Sequence, residues 1–149
     1  MHTYQNILLA LDLSDEADQV LERACELINQ EPVGLTLLHV VEPVVTENSY
    51  DLITTLPADF EESLYKQADT FLQRKRDDFQ LNRARVQVEA GSVKSEILRV
   101  AEEIKADLIM VGTHGRHGVG LLLGSTANSV LHGTPCDVLA VRINPAESG

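Results

Sequence analysis

Short apolar runs alternate along this chain with longer stretches in which apolar residues recur every three or four positions, the pattern of βαβ units on a mostly parallel sheet. Five runs read as strands: Asn6 to Leu11, Leu35 to Val41, Arg85 to Ala90, Leu108 to Val111 and Asp137 to Arg142. Leu108-Ile109-Met110-Val111 is apolar throughout, which predicts a strand buried on both faces. Arg85-Val86-Gln87-Val88-Glu89-Ala90 alternates polar with apolar, which predicts an edge strand with one wet face. Right-handed crossovers then favour a doubly wound α/β sheet in the order 3-2-1-4-5 with helices on both faces.

Four helices fill the intervals. Ser14 is the predicted cap of the first, with Asp15 and Glu16 suited to its positive end and a stripe of Ala17, Val20, Leu21, Ala24, Cys25, Leu27 and Ile28. The second spans about Asp59 to Phe79, with Leu64, Ala68, Phe71 and Leu72 inward and Arg74, Lys75 and Arg76 complementing its dipole. Gly91-Ser92 opens the third, whose stripe is Val93, Ile97, Val100, Ala101 and Ile104. The fourth begins near Ser125 and stops at Gly133, read as a C-cap glycine with Pro135 beyond. Glu42 to Pro57 shows no periodicity and is the longest expected loop.

Length and composition bound the rest. The 149 residues, 44% apolar, suit one domain over 1–149 that needs neither disulfide nor metal, and no repeat or linker interrupts them. No apolar stretch approaches the ~20 residues of a membrane span and no secretory leader is evident, so a cytoplasmic protein without membrane insertion is expected. Twelve basic against 23 acidic side chains give a net charge of −11, which repels a nucleic-acid backbone. Cys25 and Cys136 lack ligand or redox spacing and read as core thiols. His39, His114, His117 and His132 form no ligand motif, so no metal site of their own is predicted. Val138 to Val141 is apolar on both faces at a sheet edge, which invites pairing with a second copy as a two-fold homodimer.

Chemistry concentrates behind the fourth strand. Val111 to Thr126 holds five glycines and ends on Ser125-Thr126 at a helix start, a composition suited to an anion cradle, while the bland reading is a loop that needs positive φ. The segment is not a Walker loop, because Leu121-Leu122 follow Gly120 where Lys and Ser or Thr would be required. Nor is it the dinucleotide fingerprint, because three residues separate Gly120 from Gly124. Open α/β sheets bind ligands where the strand order reverses, and there Asp12 and Gly112 end the first and fourth strands. Asp12 suits a ribose hydroxyl or a phosphate-held metal, and equally an Asx turn or helix cap before Ser14. Arg116 suits a phosphate or plain solvent.

Ile7 to Ser14, Leu37-Leu38-His39-Val40, Asp107 to Gly115, Leu122 to Ser125 and Pro135 to Leu139, in this order, resemble the universal stress protein family of the UspA type over essentially the whole chain. The resemblance implies an ATP-binding, or related adenine-nucleotide-binding, regulatory module of stress response that acts as a homodimer with signalling partners. It implies Asp12 at the ribose or at a magnesium ion carried with the phosphates, Val40 at the adenine through its backbone, and Gly112 at the ribose or phosphate region. Gly115, Gly124, Ser125 and Thr126 would cradle phosphates, with Arg116 beside them. Nucleotide-binding members carry Gly-x2-Gly-x9-Gly-Ser/Thr, whereas eight residues separate Gly115 from Gly124 here. That shorter loop resembles the UspA-like branch whose members need not bind ATP, so a dimeric interaction protein without nucleotide is the alternative. Slow ATP hydrolysis ranks third, and no catalytic residue is assigned.

Overall fold

Leucine, isoleucine and valine runs too short to make stable helices pair as strands here, and their alternating side chains create two apolar faces that helices must cover. The computed structural model describes residues 4–28, 33–42, 58–113 and 125–144, except the side chains of 58, 59 and 125. In chain order come β1 (Asn6–Ala10), α1 (Ala17–Ile28), β2 (Gly34–Val41), α2 (Ala58–Asp78), β3 (Arg85–Ala90), α3 (Val93–Glu103), β4 (Leu108–Gly112), α4 (Ser125–Leu131) and β5 (Asp137–Val141). The strands form one parallel sheet in the expected order β3-β2-β1-β4-β5.

Alternation along the strands splits the core in two. Ile7, Leu9, Leu11, Leu35, Leu37, Leu108 and Met110 pack with Val20, Leu21 and Ala24 of α1 and Leu72 of α2. On the opposite face Leu8, Leu38, Val40, Ile109 and Val111 pack with Ile97, Val100 and Ala101 of α3 and Ala127 and Val130 of α4. The start of β1 is locked to that of β4 by Asp107, whose carboxylate accepts from the Gln5 and Asn6 N–H groups at 2.7 and 2.9 Å. These charge-assisted bonds help hold the register that puts Ile7 beside Leu108.

Several local expectations are corrected. α1 begins at Ala17, because Ser14 is used in a turn ahead of it, with Ala17 N–H donating to Ser14 O at 3.1 Å. Leu27 stands outside the stripe, 45% exposed. Lys75 does more than face a helix dipole: it lies 5.4 Å over the Phe71 ring, and its Nζ approaches Asp18 Oδ1 to 2.7 Å as an ion pair, off the line of a well-formed hydrogen bond. β3 is an edge strand, but Val86 to Ala90 are half-buried on both faces rather than wet on one.

Gly133 is not a left-handed C-cap, for Gly91 (φ 138°) is the positive-φ glycine among the described residues. A Cβ on Gly133 would meet Leu98 Cδ1, the end of a flexible side chain on α3, at 2.8 Å. The left-handed helix ends fall instead on Gln80 and Lys105, at φ 56° and 57°. There Leu81 N–H donates to Arg76 O and Ala106 N–H to Ala101 O, both at 2.8 Å, closing Schellman motifs on α2 and α3.

Candidate functional site

The sheet register sets one edge of the molecule. Ala10 lies beside Leu38 on one side and Val111 on the other, so β1, β2 and β4 deliver Asp12, Val40 and Gly112 to the same carboxyl end. This is the switch point, where connections leave β1 and β4 in opposite directions along the sheet.

How β1 ends decides what is offered there. Leu11 N–H donates to Leu38 O at 2.8 Å, the last bond of the β1–β2 ladder. The next rung would send Val40 N–H to Leu11 O. That carbonyl instead accepts from His39 Nδ1 at 2.8 Å, which places a proton on Nδ1, since a carbonyl oxygen only accepts. No bond joins Val40 N–H to Leu11 O among the described residues. Because successive residues of a strand point their amides to opposite sides, Val40, like Leu38, turns its N–H and C=O toward the space β1 has vacated. The Val40 side chain stays in the core.

Asp12 stands beside that opening. Ser14 Oγ donates to Asp12 Oδ1 at 2.8 Å and accepts the Glu16 N–H at 3.3 Å. Ser14 therefore serves the turn, and Asp12 receives no main-chain N–H among the described residues, which sets aside the capping reading of this carboxylate. Its second oxygen, Oδ2, is out of solvent and has no hydrogen-bond partner among the described residues. A buried, unpartnered carboxylate oxygen is costly and accepts only, so its complement is a hydroxyl, an N–H or a cation.

Gly112 is the last residue of β4, in register with Val141, and its φ is not positive. Thr113, which the sequence reading passed over, anchors the departing chain: its N–H donates to Val141 O at 2.9 Å and its Oγ1 accepts the Ile143 N–H at 3.0 Å. Ser125 opens α4 and Thr126 is half-buried in its first turn. Gly115, Arg116 and Gly124, with His114 and His117, lie outside the described residues, as do most of Glu42 to Pro57. Thus Asp12, Val40 and Gly112 come together at one edge, and Ser14, His39 and Thr113 hold them there.

Other candidates fall away. Burial pushes the Cys25 thiol up, with Glu22 adding to it, and burial likewise raises Cys136 against the opposing Thr134 hydrogen bond, so neither is an activated nucleophile. His132 is exposed. Among the described residues no cluster of three His, Cys, Asp or Glu could hold a metal, and no helix is long and apolar enough to cross a membrane. Asp12 alone would bind a cation only in company with other oxygens, such as those of a phosphate chain.

A family model for universal stress proteins matches residues 3–142. Universal stress protein A homolog 2 of Coxiella burnetii is 41% identical, across 96% of this chain and 98% of its own. Among solved structures, universal stress protein UspA from Lactobacillus plantarum superposes with a TM-score of 0.78 at 22% identity, over 95% of this chain and all of its own. A universal stress protein in complex with cAMP gives 0.64 at 22% identity, over 94% of this chain and 98% of its own. A family member from Arabidopsis thaliana with AMP bound gives 0.66 at 16% identity, over 97% and 95%. At these identities the structural likeness is one of fold.

Proposed function

The chain belongs to the universal stress protein family, and from that premise we propose that it is a regulatory module of stress response that binds ATP or a related adenine nucleotide at the switch point. The observation that carries this reading is the buried Oδ2 of Asp12, without a hydrogen-bond partner among the described residues, at the strand end where none of them bonds the Val40 N–H to Leu11 O. An adenosine presents the matching groups: hydroxyl donors on its sugar, and a base edge with adjacent donor and acceptor. Family members of the same fold hold cAMP and AMP.

In this reading Asp12 accepts from the ribose or meets a magnesium ion held by the phosphates, Val40 reads the base through its main chain, and Gly112 lies along the ribose. Gly115, Gly124, Ser125 and Thr126 cradle the phosphates with Arg116 alongside. A bound magnesium would supply charge neutralisation for the phosphate chain. Residues 1–149 act as one α/β domain in the cytoplasm, paired as a homodimer through Val138 to Val141 of the edge strand β5 and read by signalling partners.

The test is mass spectrometry of small molecules released from freshly purified, denatured protein, with calorimetry of Mg-ATP in parallel. Stoichiometric adenine nucleotide, or a saturable calorimetric signal, supports the module. An empty protein with no signal favours the second reading, a nucleotide-free dimeric interaction protein, which rests on the eight residues between Gly115 and Gly124. Sedimentation decides the dimer: a monomer at micromolar concentration removes it from both readings.

A further inference from the structure

We propose that Ser14 is a positioning residue that makes the site selective for ribonucleotides over their deoxy counterparts, acting through Asp12; the inference rests on the nucleotide reading above. A serine hydroxyl has one proton, and here it is committed to Asp12 Oδ1 at 2.8 Å. Ser14 Oγ accepts the Glu16 N–H at 3.3 Å, and the Ser14 carbonyl accepts the Ala17 N–H at 3.1 Å, so the hydroxyl is held from the backbone side. With the Cβ–Cγ bond set by the Asp12 backbone, fixing Oδ1 sets the plane of the carboxylate, and that plane leaves Oδ2 buried and without a donor among the described residues.

An ionised carboxylate oxygen has lone pairs only, so it discriminates in favour of a ligand that brings O–H groups and gains nothing from one that lacks them. Phosphate oxygens offer it no proton, whereas a sugar diol does. Without the Ser14 hydroxyl the carboxylate loses its tether, can turn toward water, and must be reoriented each time a ribose binds. The penalty falls on ligands that use Oδ2 and spares those that do not.

The experiment is calorimetry of ATP and of 2′,3′-dideoxy-ATP with the full-length wild type, Ser14→Ala and Ser14→Thr. The wild type is expected to prefer ATP by about tenfold or more, the scale of one hydrogen bond to a charged group. Ser14→Ala should weaken ATP about fivefold while dideoxy-ATP changes less than about twofold, and Ser14→Thr, which keeps the hydroxyl, should restore the preference. Should Ser14→Ala melt far below the wild type, Ser14→Gly replaces it as a hydroxyl-free variant tolerant of the turn. Equal weakening of both nucleotides, or an undiminished preference, overturns the role of Ser14 and leaves nucleotide binding standing. A wild type that binds ATP and dideoxy-ATP alike overturns the inference without any variant, and one that binds neither overturns both it and the proposed function.

Discussion

Asp12→Asn separates the cost of the site from its use. The substitution keeps shape and keeps an oxygen for the Ser14 hydroxyl, but it replaces Oδ2, buried and without a partner among the described residues, with an amide N–H. Leaving a buried polar group unsatisfied costs on the order of 1–3 kcal/mol, and more where the group is charged, so an unsatisfied amide N–H costs less than the carboxylate oxygen it replaces. Nucleotide-free protein should therefore be as stable as the wild type or up to about 1 kcal/mol more stable, seen as an unchanged or higher urea midpoint at constant m. ATP affinity should fall by about 1.5–3 kcal/mol, roughly 10- to 150-fold, because an accepting oxygen is gone and a donor now faces the ligand hydroxyl. Repeating the titration in EDTA divides the two roles of the carboxylate: a difference that disappears with magnesium assigns Asp12 to the cation, and one that persists assigns it to the sugar. Wild-type affinity in Asp12→Asn, or a loss of 2 kcal/mol or more in the ligand-free protein, would refute the reasoning.

Lys75→Met should cost about 1 kcal/mol, since Lys75 is only 12% exposed against an Asp18 that is 38% exposed, and a cycle with Asp18→Asn should return most of it as coupling; coupling under about 0.3 kcal/mol would deny the pair a role in docking α2 on α1. Lys105→Gly should stabilise by up to about 1 kcal/mol by relieving a left-handed side chain, whereas Gly91→Ala should destabilise by about 1 kcal/mol or more at φ 138°; reversed signs in urea melts would contradict the backbone account. The pH profile should be bounded on both sides. The Asp137 hydrogen bond raises the Tyr4 phenol above 10.0, and burial raises the two thiols above 9.0, so their stabilisation is complete below those values and is lost as pH rises through the folded ones. The Arg99 hydrogen bond lowers Glu96 below 4.5, so its contribution is present above that value and is lost as pH falls. A urea midpoint that climbs between about pH 9 and pH 10 would contradict the signs.

Much of the fold was legible because the strands carry their burial in their letters. Leu108 to Val111, apolar without a break, is the buried strand it was expected to be, and the whole order β3-β2-β1-β4-β5 follows from connection handedness. What was misread lay at element ends, where tertiary contacts outweigh local preference. A glycine followed by a proline suggested a left-handed stop at Gly133, but that glycine does not take a positive φ. The left-handed stops sit on Gln80 and Lys105, which nothing in their letters marks, because the roughly 1 kcal/mol cost of that conformation is small beside the packing of α2 and α3.

The site divides along the same line. Asp12 was visible as a carboxylate at the end of a strand, yet spacing alone left a ligand and a turn equally open, since both place an acidic residue ahead of a helix. In the structure Ser14 takes the turn, its hydroxyl accepting the Glu16 N–H and donating to Asp12 Oδ1, and the ligand role of Asp12 is the proposal that calorimetry tests. Val40 could not be singled out from its own chemistry: a valine in an apolar strand is core, and its side chain is core here. Its N–H makes no bond to Leu11 O among the described residues, for β1 stops at Ala10 and Leu11 O there accepts from His39 Nδ1. A histidine inside Leu37-Leu38-His39-Val40 would be a poor choice for burial alone. As a side-chain donor at the end of the ladder, it marks where strand pairing stops, and the proposed ligand role of Val40 thus rests on its neighbour rather than on its own side chain.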